Sequence, residues 1–339
     1  MKALKITAVI VLLFIVLVAA VGFLADKSAN APPDTKNPDS LVPAAPPETV
    51  NNIDVPSTEG ADNTPNLPQN DTPVKISFFY EPYWTLTFKP SEMKKGDLIL
   101  INDQYSFDPD EAKNLVSIAA EKNSSYLLTD KNGSLSGNVL KALNKMMDGF
   151  AAATGRRNVS ILSSYRTVEK QQQLFDERVA RSGIEEAKKW VAVPGYSEHH
   201  SGMAFDLAVV VDGIAQTFKG NGDYSWFEKH CFEYGFIRRY PPEKVDITKT
   251  SYEPWHFRYI GQPHAAIMDL YDLCFEEYID FLRDFPFGGE HYFYETGGYI
   301  YEIYYIEGLD VSIPKYQKST VSGNNVDGFI VTVEALKVA

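Results

Sequence analysis

The spacing of apolar positions changes several times along the chain, and each change predicts an element. Ile6 to Leu24 are 19 uncharged residues, all apolar or glycine except Thr7, which is about the length that crosses a bilayer as a helix. Lys2 and Lys5 precede this run and Asp26 follows it, which places the short N-terminus in the cytoplasm. Val18-Ala19-Ala20 also offers small residues to a signal peptidase, so an uncleaved anchor and a cleaved signal both fit residues 1–25. Either one exports the remainder. Periodicity then disappears over residues 26–74, where Asp26 to Pro73 holds ten of the twenty prolines among Asn, Asp, Thr and Ala. Such a segment buries too little apolar surface to offset its ordering entropy and reads as a disordered tether.

Regular patterns resume near residue 75. Ile76–Tyr80 and Leu98–Ile101 have strand character. Val139, Leu140, Leu143, Met147 and Phe150 share one helical face, and Gly155 stops that helix. Val159–Leu162 predicts a strand, Val168–Ala180 a helix, and Ala204–Val211 a strongly apolar strand. Trp226–Tyr234 reads as a helix closed by Gly235, and Phe236–Tyr240 as a strand broken by Pro241-Pro242. One long helix is expected from Pro263 to near Pro286. From His291 the pattern becomes tyrosine-rich with strand propensity, predicting a β-rich appendage over residues 289–339 against a main domain at 75–288. About fifty residues is near the lower limit for independent folding, so packing against the main domain is expected.

Composition narrows the function. A net charge of −13 argues against nucleic acid, whose phosphates need a basic surface. The segment Asp26–Pro73 carries eight acidic residues and two lysines, so nearly half of the excess sits in the tether. Cys231 and Cys274 are too few for a disulfide framework. Each falls on an apolar helical face, which fits two buried thiols, and a single disulfide is the alternative outside the cell.

The chemistry is concentrated in two segments. In Pro194–Asp206, strand alternation from Gly202 places Gly202, Ala204 and Asp206 on one face, two minimal residues and a carboxylate. A carboxylate on a face cleared of bulk suits a ligand to something that approaches closely, and His199 in the preceding loop can fold back to it. In Tyr252–Tyr259, Glu253 precedes Pro254 and is pushed out of the α region. The Glu253…His256 spacing is therefore not half of a helical zinc-protease motif but a bent, extended segment. His199, Asp206 and His256 make a three-ligand set with an open fourth position, the arrangement of catalytic rather than structural zinc. Zinc held this way acidifies water towards neutrality, and Glu253 beside it serves as the base. Arg166, between a strand and a helix, suits a developing oxyanion or a substrate carboxylate, with Gln171 about one turn on. Trp255 reads equally as core or as substrate wall. His200 points away from His199 in extended chain, and His230, His264 and His291 lie in no comparable cluster.

At these residues the sequence resembles the VanY-type D-alanyl-D-alanine carboxypeptidases of the lysostaphin and D-Ala-D-Ala metallopeptidase family. Ser197, His199, Gly202, Ala204 and Asp206 meet its Ser-x-His-x-x-Gly-x-Ala-x-Asp pattern, and Glu253, Trp255 and His256 its Glu-x-Trp-His pattern. Ser163, Tyr165, Arg166 and Gln171 meet Ser-x-Tyr-Arg…Gln, and the resemblance spans about residues 95 to 285. It implies an α+β fold, a small mainly antiparallel sheet bearing the metal with helices around it. It implies one zinc ion on His199, Asp206 and His256, Glu253 as base, and Arg166 polarising the scissile carbonyl. It also implies Ser197 and Gln171 seating a terminal D-alanine; Tyr165 and Trp255, within these motifs, are further candidate substrate contacts. The expected partner is the peptidoglycan stem peptide, met by a monomeric catalytic domain on the outer side of the membrane. L,D-carboxypeptidase, dipeptidase, endopeptidase and non-catalytic wall-binding readings remain alternatives.

Overall fold

The computed structural model describes residues 82–337. The apolar run Ile6–Leu24, the proline-rich tether and the strand expected at Ile76–Tyr80 lie outside the described residues. Among the described residues, no helix is long and apolar enough to cross a membrane.

Apart from the short strands Leu115–Ser117, Leu127–Leu128 and Ser134–Ser136, the strands in chain order are β1 (Tyr83–Thr87), β2 (Val159–Ser163), β3 (Ala204–Val211), β4 (Ile214–Thr217), β5 (Phe236–Arg238) and β6 (His256–Tyr259). β7 (Tyr292–Thr296), β8 (Tyr299–Glu307), β9 (Asp310–Pro314), β10 (Ser319–Gly323) and β11 (Gly328–Lys337) follow. The principal helices are α1 (Gly137–Thr154), α2 (Val168–Ser182), α3 (Ile184–Lys188), α4 (Trp226–His230), α5 (His264–Tyr271) and α6 (Phe275–Arg283).

The first sheet runs Leu127–Leu128, β2, β3, β6, β5, with β4 paired to the far end of β3. Only the short Leu127–Leu128 edge is parallel to its neighbour β2; the other pairings are antiparallel. One face of this sheet is apolar because alternate residues of each strand are: Ile161, Phe205, Leu207, Phe236 and Phe257 join Leu143, Met147 and Phe150 of α1 in one core. Burying each such side chain contributes about 1.5–3 kcal/mol, which fixes the register of the strands. Gly155 ends α1 at φ 73°, where a left-handed conformation favours glycine.

Two expectations are corrected here. Leu98–Ile101 is not a strand, yet its period of two is real: Ile99 and Ile101 enter the α1 core while Leu98 and Leu100 enter a second core. This extended segment threads between two cores, and apart from one bond from Leu100 N–H to the Asn324 carbonyl (3.0 Å) it forms no ladder. The long helix after Pro263 is two helices. Asp272 turns left-handed (φ 51°), and the Glu277 carboxylate accepts from the Cys274 N–H (2.9 Å) to start α6 afresh. An unbroken apolar stripe conceals this capping signal.

A further sheet, β7-β8-β11-β10, carries the tyrosine-rich pattern, and β9 pairs with β1. The stretch Glu302–Ile306 of β8 is buried on both sides. Ile303 and Tyr305 pack with Ile330 on Ile267, Met268, Ile279 and Leu282 of α5 and α6. Tyr304 and Ile306 pack with Phe329 and Val331 over Tyr83, Phe88 and Met93. His264 of α5 bonds both the Tyr278 hydroxyl (2.7 Å) and Thr332 Oγ1 (2.9 Å), joining the helix pair to this sheet. Cys231 and Cys274 are free and buried, as the apolar-thiol reading expected.

Candidate metal centre and cleft

The polar face of the first sheet builds the site. Asp206 on β3 lies directly opposite His256 on β6, and opposite Ser163 on β2. The second pairing depends on a bulge between Ile161 and Ser163, which shifts the register so that Ser163 faces Asp206 while Ile161 stays opposite Leu207. His199 comes from the single turn Glu198–Ser201, started by Ser197, whose Oγ accepts from the His199 N–H (3.4 Å). Gly202 ends that turn at φ 70° and is not part of the strand. A Cβ there would stand 2.5 Å from Leu115 Cδ2, so its smallness serves the turn and a neighbour rather than an approaching ligand. Glu253 and His256 are joined by a tight turn, with the His256 N–H donating to the Glu253 carbonyl (3.2 Å) and Pro254 at the second position, where its fixed φ favours a turn.

Ligand atoms of His199, Asp206 and His256 all lie within 4.8 Å of one another, and all three residues are buried. The donor set fits zinc, because the outward end of each ring is already engaged. His199 Nδ1–H donates to the Ser164 carbonyl (2.7 Å), leaving the Nε2 lone pair facing Asp206 Oδ2 at 3.3 Å. His256 Nε2–H donates to Glu198 Oε2 (3.1 Å), leaving Nδ1 facing Asp206 Oδ1 at 3.0 Å. Burial, with Arg166 adding to it, holds His199 down to about 4, so it is neutral. Burial works against the His256 cation too, but Asp206 and Glu198 on its two sides prevail and raise it to about 9. Burial opposes ionisation of Asp206, and its contacts with His199 and His256 nonetheless hold it well below the usual carboxylate range. Glu253 is pushed up by burial to about 8, against the pull of His256, and its carboxylate lies 3.8 Å from His256 Nδ1.

Arg166 is held at three points. Its Nε donates to Ser163 Oγ (2.9 Å), Nη1 to Gln171 Oε1 (2.9 Å), and Nη2 to Asp206 Oδ2 (2.8 Å) while lying 2.9 Å from His199 Nε2. Gln171 is fully buried, and its Nε2 donates to the Ala192 carbonyl (2.7 Å), so its carboxamide orients Arg166. Arg166, Gln171, Ser197, Glu253 and Trp255 line one cleft with the three candidate ligands, about 780 Å³ including its open mouth. Tyr165 does not line that cleft; its backbone N–H donates to the Ser134 carbonyl (3.0 Å).

A family profile described as VanY, D-alanyl-D-alanine carboxypeptidase, matches residues 132–262, which contain every one of these site residues. A D-alanyl-D-alanine carboxypeptidase of Enterococcus faecium is 32% identical over 253 residues, covering 73% of this chain and 78% of that protein. The chain belongs to the VanY family. VanY-family peptidases are zinc-dependent, and this chain is accordingly an enzyme, a carboxypeptidase of the hydrolase class. A VanXYC of Enterococcus gallinarum, bifunctional as D-Ala-D-Ala dipeptidase and carboxypeptidase, is 36% identical over 143 residues, 41% of this chain and 75% of that one. Among solved structures, the vancomycin-resistance D,D-dipeptidase VanXYg, in complex with a D-Ala-D-Ala phosphinate analogue, superposes with a TM-score of 0.65 at 31% identity. That match covers 74% of this chain and 99% of the other.

Within this VanY-family site, sequence reasoning passed over three contributors. The Ser164 carbonyl leaves no trace in side-chain patterns. Glu198 was hidden between Ser197 and His199, although Arg239, just past the end of β5, and Arg258, within β6, are fully buried arginines that need a carboxylate partner. His200 is a clamp: Gly195 N–H donates to its Nε2 (3.1 Å), so its Nδ1–H donates to the Arg166 carbonyl (2.8 Å) and steadies the Arg166 loop.

Proposed function

We propose that this chain is a zinc-dependent D-alanyl-D-alanine carboxypeptidase that removes the terminal D-alanine of peptidoglycan stem peptides on the outer side of the membrane. The observation that carries the reading is the convergence of His199, Asp206 and His256 beside a buried Glu253. These three residues would hold the ion. Bound there, zinc supplies Lewis acidity, polarising a carbonyl and acidifying water. Glu253 takes the proton of the attacking water and delivers it to the leaving amine. A carboxyl held near neutrality by burial gives and takes the same proton within one turnover. Arg166, fixed by Ser163 and Gln171, is the cation at hand for the negative charge that develops on the carbonyl oxygen. Ser197 and Trp255, on the cleft wall, are the proposed contacts to the terminal residue, and Gln171 acts through Arg166.

The similarity to carboxypeptidases and dipeptidases of D-Ala-D-Ala supports the substrate class. The apolar run Ile6–Leu24 and the tether behind it support a membrane-held enzyme facing the wall. Mass spectrometry after incubation with a pentapeptide stem, a tetrapeptide stem and free D-Ala-D-Ala, with zinc or with EDTA, tests the reading. Loss of one D-alanine from the pentapeptide, abolished by EDTA, is expected. Preferential cleavage of the dipeptide makes the enzyme a dipeptidase, and trimming of the tetrapeptide an L,D-carboxypeptidase.

A further inference from the structure

His256 is the end of a chain of buried charges that reaches α6. Glu198 exposes no side-chain surface. Its Oε2 accepts from His256 Nε2–H (3.1 Å), and its Oε1 from Arg239 Nε (2.8 Å) and Arg258 Nη1 (3.2 Å). Arg239, also fully buried, donates its two terminal nitrogens to Glu276 of α6 at 2.9 and 2.7 Å. Asn102 Nδ2 donates to the same carboxylate (3.1 Å). Arg258 spends its remaining nitrogens on the carbonyls of Asp97, Ile99 and Tyr259.

Two arginines and a carboxylate without solvent are expensive to bury, and a well-packed apolar cluster of the same volume stabilises a fold as well or better. What the cluster does that an apolar one does not is direct a proton. An imidazole has two nitrogens, and the acceptor beyond one decides which of them keeps a lone pair. A carboxylate locked in place by two guanidinium groups holds the hydrogen of His256 on Nε2 and fixes the ring plane, so Nδ1 is turned to Asp206.

We propose that Glu198 is a positioning residue for His256, and that Arg239 and Glu276 hold Glu198 in that role. The geometry of a candidate metal ligand is thereby anchored on α6, whose Ile279 and Leu282 pack with Ile303 and Ile330 of the C-terminal sheet. This inference rests on the zinc reading of the site.

The test uses the zinc affinity of the purified protein, measured by competition with a chromogenic chelator well below the melting temperature. Long-range proton–nitrogen spectra of the metal-free protein at alkaline pH, where the His256 ring is neutral, report which ring nitrogen carries its one hydrogen. Glu198→Gln is expected to weaken zinc binding roughly ten- to a hundredfold and to populate a second His256 tautomer. Glu276→Gln, at a position with some solvent access, is expected to lower affinity in the same direction by less, and Glu276→Asp to restore most of it. If Glu198→Gln does not fold, Glu276→Gln decides alone. Variants that melt earlier without metal but keep wild-type affinity and a single tautomer show a structural role only, and overturn the proposal. A wild-type protein that holds no zinc overturns the metal reading itself, and this inference with it.

Discussion

The two faces of the β3–β6 ladder share one backbone pairing and obey different rules. On one face Phe205 lies opposite Phe257, rings stacked with centroids 5.9 Å apart, beside Leu207 in the core under α1. On the other, Ala204 lies opposite Arg258 and Asp206 opposite His256. The first face is held by area removed from water, which is non-directional and tolerant of substitutions that conserve volume. The second is held by paired charges whose worth depends on every partner being present, so removing one strands another in a low dielectric. A period of two thus places stability and chemistry back to back, one residue apart in sequence.

Substitutions on each face sharpen the contrast. Glu253→Gln, at the edge of the polar face, should lower kcat by about 10² to 10⁴ and leave one zinc per chain, since it removes a proton carrier rather than a ligand. Turnover assays with metal analysis check this, and near-normal turnover removes Glu253 from the role of base. Phe257→Ala, one residue from His256 but on the apolar face, should cost about 3–5 kcal/mol in denaturant unfolding. If it instead mainly weakens zinc binding at unchanged stability, the two faces are not separable.

A third prediction concerns pH. His256 is raised to about 9 in the metal-free protein, so below that pH a proton occupies the nitrogen an ion requires. Zinc affinity should therefore fall about tenfold for each unit of pH from 9 to 7, read by chelator competition. A flat dependence would show that the Asp206–His256–Glu198 arrangement does not hold that proton. Thr167→Ala touches neither face. It removes the acceptor that caps α2 at Lys170 N–H (3.2 Å) and should cost about 1 kcal/mol with kcat little changed, by thermal melting and assay.

Much of this was legible in the residues. The helix ending at Gly155 and the strand Ala204–Val211 follow from spacing and a glycine, because local sterics and one apolar face decide them. Pro254 revealed the bend between Glu253 and His256, since its restriction on the preceding residue is local. The misreadings share one cause. Gly202 looked like a strand residue because a pattern of two continues through it, whereas it caps the Glu198–Ser201 turn left-handed and lies against Leu115, far away in sequence, with no room for a Cβ. Leu98–Ile101 alternates like a strand because it has two cores to serve, and alternation alone does not supply hydrogen-bonding partners. The break at Asp272 lay under an apolar stripe that two successive helices share.

By itself, then, the sequence determined which side chains are chemically equipped and where the backbone must turn, because residue type and short-range sterics are properties of the chain alone. Tertiary structure decided which nitrogen of each histidine is left to face Asp206. That choice belongs to the Ser164 carbonyl and to Glu198, and Glu198 can make it only because Arg239, just beyond β5, and Arg258, on β6, keep a buried carboxylate charged.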